Sequence, residues 1–260
     1  MTEQALTRPD PPRFGIGRAL AAGFQTIGRG FVPFVIVFLG ISAVQFGVIF
    51  WLLEKLQSGT PVAWINGGLV LSNTICDAVF NAVMTGIALS VVEDHRADWR
   101  RALARLPMVV LQIGLMSLVY ASLSRFGIPG VPRLVTMGLI LAIGTLTWLY
   151  ASVLVREGGH PVSALRRNFQ LAAGHRLKIL ALLVIFFVLY FVIGFVIGFI
   201  VGVIFSAMGI PITVTVTLGI QLTMTQLLNA YCYIVAASSF HLLVAEKDGP
   251  RQAELAQVFD

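Results

Sequence analysis

Residues 177–205 read LKILALLVIFFVLYFVIGFVIGFIVGVIF, with a single charge, Lys178, at the start. The run exceeds the roughly 20 apolar residues that a helix needs to cross a bilayer. Five more apolar runs recur outward from it: about Phe31–Leu53, Asn66–Val92, Leu106–Ser124, Leu134–Val155, and one within Ile212–Ala245. Of the 260 residues, 57% are hydrophobic and 12% charged, against about 25% charged in a soluble domain. A water-soluble core cannot account for that balance, and lipid can. The expected fold is all-α, an integral membrane bundle of six transmembrane helices. Pro107 falls in the first turn of the third span, where proline is tolerated. Residues 212–217 (ITVTVT) alternate at period two, so helix is expected in the last span only from about Leu218.

The net charge is +6, and the placement of the 18 Lys and Arg argues against a nucleic-acid partner. Arg8, Arg13, Arg18 and Arg29 precede the first span, and Arg96, Arg100, Arg101 and Arg105 separate spans two and three. Arg156, Arg166, Arg167, Arg176 and Lys178 separate spans four and five, and Lys247 and Arg251 follow the sixth. Only Lys55, Arg125 and Arg133 fall in the alternate loops, a split of 15 to 3. The positive-inside rule then puts both termini on the cytoplasmic side, and the expected location is the bacterial inner membrane. The polar, Pro-rich residues 1–12 and the length of the first apolar run do not fit a cleaved signal, so the first span is expected to remain as an anchor.

The external connections, about Glu54–Ile65, Arg125–Arg133 and Ser206–Pro211, are short and carry Gly and Pro (Gly59, Pro61; Gly127, Pro129, Gly130; Gly209, Pro211). Short connections make consecutive spans antiparallel neighbours, giving three helical hairpins. A short basic interfacial helix is expected before each hairpin. Phe14, Leu20, Phe24 and Ile27 can share a face in the first; Trp99, Leu103 and Leu106 in the second; Val162, Leu165, Phe169 and Ala172 in the third. Arg18, Arg29, Arg100, Arg101, Arg166 and Arg167 are the candidate contacts to lipid headgroups. Each hairpin closes on an acidic stop, at Glu93, Glu157 or Glu246. The expected organisation is a disordered tail at 1–12, one membrane domain at 13–246 with repeats at about 13–94, 95–157 and 158–246, and a cytoplasmic tail at 247–260.

Residues 154–176, LVREGGHPVSALRRNFQLAAGHR, and residues 17–31, GRALAAGFQTIGRGF, carry a family resemblance. The first resembles a segment of the bacterial six-span proteins related to the glycerophosphodiester phosphodiesterase membrane domain. Glu157, Gly158, Ala164, Leu165, Arg166, Arg167 and Gly174 match that pattern, and Asn168 stands where Ser is usual. The resemblance implies a six-span architecture, not a phosphodiesterase activity, because the catalytic domain fused to that family's namesake has no counterpart here.

Asp77 is the feature that lipid alone does not explain. It lies near the middle of the second span, where an acidic residue costs at least ~2.5–3.5 kcal/mol. Asn73 and Asn81 stand four residues to either side, on the same helical face. Gln226 and Asn229, with Gln221 and Thr225, lie at similar depth in the sixth span, so a polar seam between the two spans is expected. Gly194, Gly198 and Gly202 form a strip suited to close helix packing, with another span of the chain as the expected partner. Cys76 and Cys232 read as small apolar fillers. The acidic loop at Glu93–Asp98 reads as a solvated helix junction rather than a metal site. No catalytic motif is present, and no enzyme activity, cofactor or metal is expected. The first expectation is a non-catalytic scaffold, partner-binding or lipid-interacting module, its partners membrane lipids and another membrane protein or a second protomer. The alternative is a small transporter or channel using Asp77. A water-accessible cavity reaching Asp77 would favour the second, and a sealed Asp77 the first.

Overall fold

The computed structural model describes residues 13–59, 61–98, 103, 106–126, 132–208 and 214–259, and those residues form helices with no strand among them. The helices are α1 (Ile16–Gln57), α2 (Val62–Asp94), α3 (Leu106–Phe126), α4 (Arg133–Thr147), α5 (Tyr150–Arg156), α6 (Pro161–Ala172), α7 (Arg176–Ala207) and α8 (Val214–Phe259). Five stretches are long and apolar enough to cross a membrane: Ile16–Leu56, Val62–Asp94, Val135–Arg156, Arg176–Ala207 and Gly219–Gly249. Leu106–Val119 is a shorter apolar stretch. The predicted second basic segment, with Trp99, Arg100, Arg101 and Arg105, lies outside the described residues apart from Leu103 and Leu106, as do the tail 1–12 and the turn residues Gly127, Pro129, Gly130, Gly209 and Pro211.

The centre of the bundle is α2, which packs against α1, α3, α5 and α8. Phe80, Met84 and Ile87 are fully buried along it. The first basic segment is not a separate helix. It continues into α1 through a bend at Gly30 (φ −109°, ψ 22°). Of the expected face, Phe14 is fully buried and Leu20 and Ile27 pack partly buried against the core, whereas Phe24 is 64% exposed and the small residues Ala19, Gly23, Thr26 and Gly30 are buried alongside. Small residues win because they let backbones approach: a Cβ at Gly23 would stand 2.6 Å from a Val235 methyl carbon. In lipid, close approach drives helix packing more than apolarity does.

The third basic segment forms α6 with Pro161 in its first turn. Its buried face is Ala164, Asn168, Leu171 and Ala172, and Val162 points outward, 74% exposed. Asn168 is fully buried against the break between α4 and α5. It accepts the Leu149 N–H at 3.0 Å and donates to the Leu146 carbonyl. Two backbone groups freed by the interruption are thereby paired, as a low-dielectric environment requires. The final helix differs from expectation at both ends, beginning at Val214 rather than near Leu218 and running on to Phe259. Backbone groups in lipid must pair internally, which overrides the weak β preference of a Thr/Val alternation.

The start of α1, the ends of α2 and α5, α6, the start of α7 and the later part of α8 meet at one end of the bundle. Phe14, fully buried, donates its N–H to Glu246 at 2.5 Å and accepts from Lys178 Nζ at 2.9 Å. Its ring meets the His175 imidazole edge-on, and His175 Nε2 lies 3.3 Å from Glu246. Arg156 pairs with Glu93 at 2.8 Å. Lys247 donates to the carbonyls of Gln170 and Ala173, capping the α6–α7 junction.

Candidate functional site

The site grows from the i, i+4 spacing on α2. Asn73, Asp77 and Asn81 share the face that turns toward α8, and on α8 the same spacing sets Asn229 and Tyr233 opposite Asp77. The Tyr233 hydroxyl donates to Asp77 Oδ1 at 2.6 Å. Asn229 Nδ2 approaches the same oxygen at 3.4 Å, and Ser117 of α3 approaches Oδ2 at 3.4 Å. One strong and two long hydrogen bonds thus hold the carboxyl, all from neutral groups.

A chain of amides runs alongside. Gln226 Nε2 donates to Gln45 Oε1 at 2.5 Å, and Gln45 Nε2 donates to Asn73 Oδ1 at 2.9 Å, linking α8, α1 and α2. Asn81 accepts from Thr85 at 3.1 Å. Of the predicted seam, Asp77 and Asn229 are bonded directly, Asn73 and Gln226 meet through Gln45, and Asn81 turns to its own helix. Gln221 is exposed.

These groups, Gln221 apart, line a half-open cavity of about 540 Å³ between α1, α2, α3, α4, α5, α7 and α8. Much of the remaining lining is apolar: Ile113 and Met116 of α3, Ile140 and Leu141 of α4, and Leu183 of α7. Asp77 is half-buried as a residue and contributes to the lining of this space. Among the described residues, no Lys, Arg or His lines the cavity. Two buried polar atoms on its lining residues have no hydrogen-bond partner: Oε1 of Gln226 (5% exposed) and Nε1 of Trp148 (8% exposed). Trp148 sits in the α4–α5 break, so the interruption that Asn168 supports also places an indole at the cavity.

Tyr233, Ser117, Gln45 and Trp148 were not singled out from the sequence. Gln45 carried a usable signal as a polar side chain well inside the first apolar run, and Tyr233 carried one as the residue four beyond Asn229.

Other expectations place differently. A Cβ at Gly194, Gly198 or Gly202 would meet open space, so the strip packs against no described helix of the chain. The expected use within the chain is corrected: α7 is apolar on every side and keeps only one flank for the bundle. Arg18, Arg29 and Arg166 are exposed, with Arg29 Nη1 3.2 Å from His95 Nδ1. Arg167 is held by Glu157 and Asp248 rather than standing free for a phosphate. No family model, curated protein or solved structure matches this chain.

Proposed function

We propose that the chain is a six-span protein of the bacterial inner membrane, both termini cytoplasmic, that carries or conducts a small solute through the cavity at Asp77. The observation that carries this reading is the place of Asp77, a half-buried residue, on the lining of a space of about 540 Å³. That volume lies within the ~300–1,000 Å³ of small-molecule sites. An ionisable group inside a span is a functional site by default, and an open cavity beside it weakens the purely structural alternative. The six-span topology is supported by the meeting of all the predicted cytoplasmic segments that are described at one end of the bundle. The likeness to the glycerophosphodiester phosphodiesterase membrane-domain family is part of the same proposal.

The test is flux through purified protein in liposomes. Vesicles challenged with gradients of small polar solutes, or with a proton gradient read by an entrapped dye, should equilibrate faster than empty ones, and Asp77→Asn should return them to the empty rate. Flux equal to that of empty liposomes for every gradient, or an unimpaired Asp77→Asn variant, would leave the scaffold reading in its place. That second reading rests on Arg18 and Arg166, exposed at the same end of the bundle as the outward-pointing Val162 of α6. A basic, partly apolar rim of this kind suits contact with anionic headgroups.

A further inference from the structure

We propose that the solute is an organic cation, a protonated amine on an apolar body. The inference rests on the reading of the cavity as a binding site and adds the class of ligand it takes.

Three features of the cavity converge on that class. The first is charge. Among the described residues, Asp77 is the only carboxyl on the lining, and no Lys, Arg or His there balances it. Its three partners, Tyr233, Ser117 and Asn229, are neutral donors. A carboxylate facing a low-dielectric space attracts a cation and repels an anion. The second feature is the pair of unpartnered buried atoms. Gln226 commits its Nε2 to Gln45 and leaves Oε1 buried and without a hydrogen-bond partner among the described residues, so that a small shift of the side chain would present an acceptor to a ligand. An ammonium has several N–H donors, enough to serve Asp77 and a neighbouring acceptor together. The Trp148 N–H is likewise buried and without a partner, and Trp148 and Tyr233 add to the lining aromatic rings, a side-chain type that attracts cations. The third feature is the apolar lining that Ile113, Met116, Ile140, Leu141 and Leu183 contribute. A bare metal ion would leave most of about 540 Å³ unfilled, whereas an amine with an apolar body uses both the carboxyl and the apolar lining.

Cys232 lines the same cavity and supplies the readout. The full chain in zwitterionic nanodiscs is treated with a neutral polar thiol reagent, 2-hydroxyethyl methanethiosulfonate, and modification of Cys232 is followed by peptide mass mapping. The treatment is repeated with 2-phenylethylamine, with its uncharged counterpart 2-phenylethanol, and with the anion 3-phenylpropanoate. The amine is expected to slow labelling of Cys232 with at least about thirtyfold higher apparent affinity than the alcohol, and the anion to give no protection. Asp77→Asn should erase the difference between amine and alcohol. Should that variant fail to fold, the comparison of the three probes on the unmodified chain still decides. Labelling that the alcohol blocks as well as the amine, or that no probe slows, overturns the organic-cation assignment while leaving an accessible cavity. If the reagent never reaches Cys232, the accessible cavity itself falls, and the assignment with it.

Discussion

The Tyr233 hydroxyl donates to Asp77 Oδ1 at 2.6 Å, tying α8 to the central helix at the polar site. A hydrogen bond of this kind contributes ~0.5–1.5 kcal/mol net, and the phenol ring is itself fixed edge-on to Phe80. Tyr233→Phe should therefore lower the melting temperature of the solubilised protein while keeping the ring packing. The loss should be coupled to Asp77: in an Asp77→Asn background the same substitution should cost clearly less, because the partner carboxyl is gone. Strictly additive losses in the double variant would show that the two side chains do not act as a pair.

Asn168 acts on the other helix that shapes the cavity. Removing its amide with Asn168→Ala strands the Leu149 N–H and the Leu146 carbonyl. A buried unpaired group costs ~1–3 kcal/mol, so this variant should be strongly destabilised, with Trp148 displaced from the cavity. Arg166→Ala, exposed on the same helix, should be nearly silent. Thermal scans of the two variants with detection of the monodisperse fraction make the comparison. Equal stability would assign the α4–α5 break to causes within that segment.

The polar face of α2 was legible because four-residue spacing puts Asn73, Asp77 and Asn81 on one side whatever packs there. Its α8 partners were legible only as residue types at the right depth. The donor that binds most closely, Tyr233, was not, because a tyrosine in a span is unremarkable until its hydroxyl is placed. The α4–α5 break has no Pro or Gly at residues 148–149 to announce it; its support comes from Asn168, nineteen positions on from Leu149. The packed face of α1 holds the expected Phe14, Leu20 and Ile27 but not Phe24, for a general reason. A large-apolar stripe marks the buried face of a helix in water, but lipid is as apolar as leucine, so small residues such as Gly23 mark part of the packed face here.

That contrast can be measured in the glycines. Gly23→Ala places a Cβ 2.6 Å from the Val235 methyl carbon, on a β-branched side chain with little freedom to move. Overpacking of this kind costs ~1–3 kcal/mol, and separation of α1 from α8 is the expected response. Gly198→Ala adds a methyl group to open space and should leave thermal stability unchanged. A tolerated Gly23→Ala would remove close approach as the basis of the α1–α8 contact. Loss of stability in Gly198→Ala would mean that something other than the described helices of this chain covers the α7 strip.

The cluster around Phe14 gives the bundle a defined pH response. Burial holds His175 below the ordinary imidazole range; Lys178 and Lys247 push the same way, against the opposing pull of Glu246. The folded state thus binds a proton here less readily than the unfolded chain. Stability from this site is then fully present above the unfolded value of ~6.5 and is lost as pH falls from there through the lowered folded value. Below that window a protonated His175 sits beside two ammonium groups with one carboxylate, Glu246, already accepting the Phe14 N–H. The melting temperature should fall between pH 7.5 and pH 5.5 at fixed scan rate, and His175→Gln should remove part of that fall without lowering the value at pH 7.5 by as much. An identical acid-induced drop in both proteins would place the sensitivity elsewhere. A larger drop in the variant would mean that the ion pair with Glu246 outweighs burial.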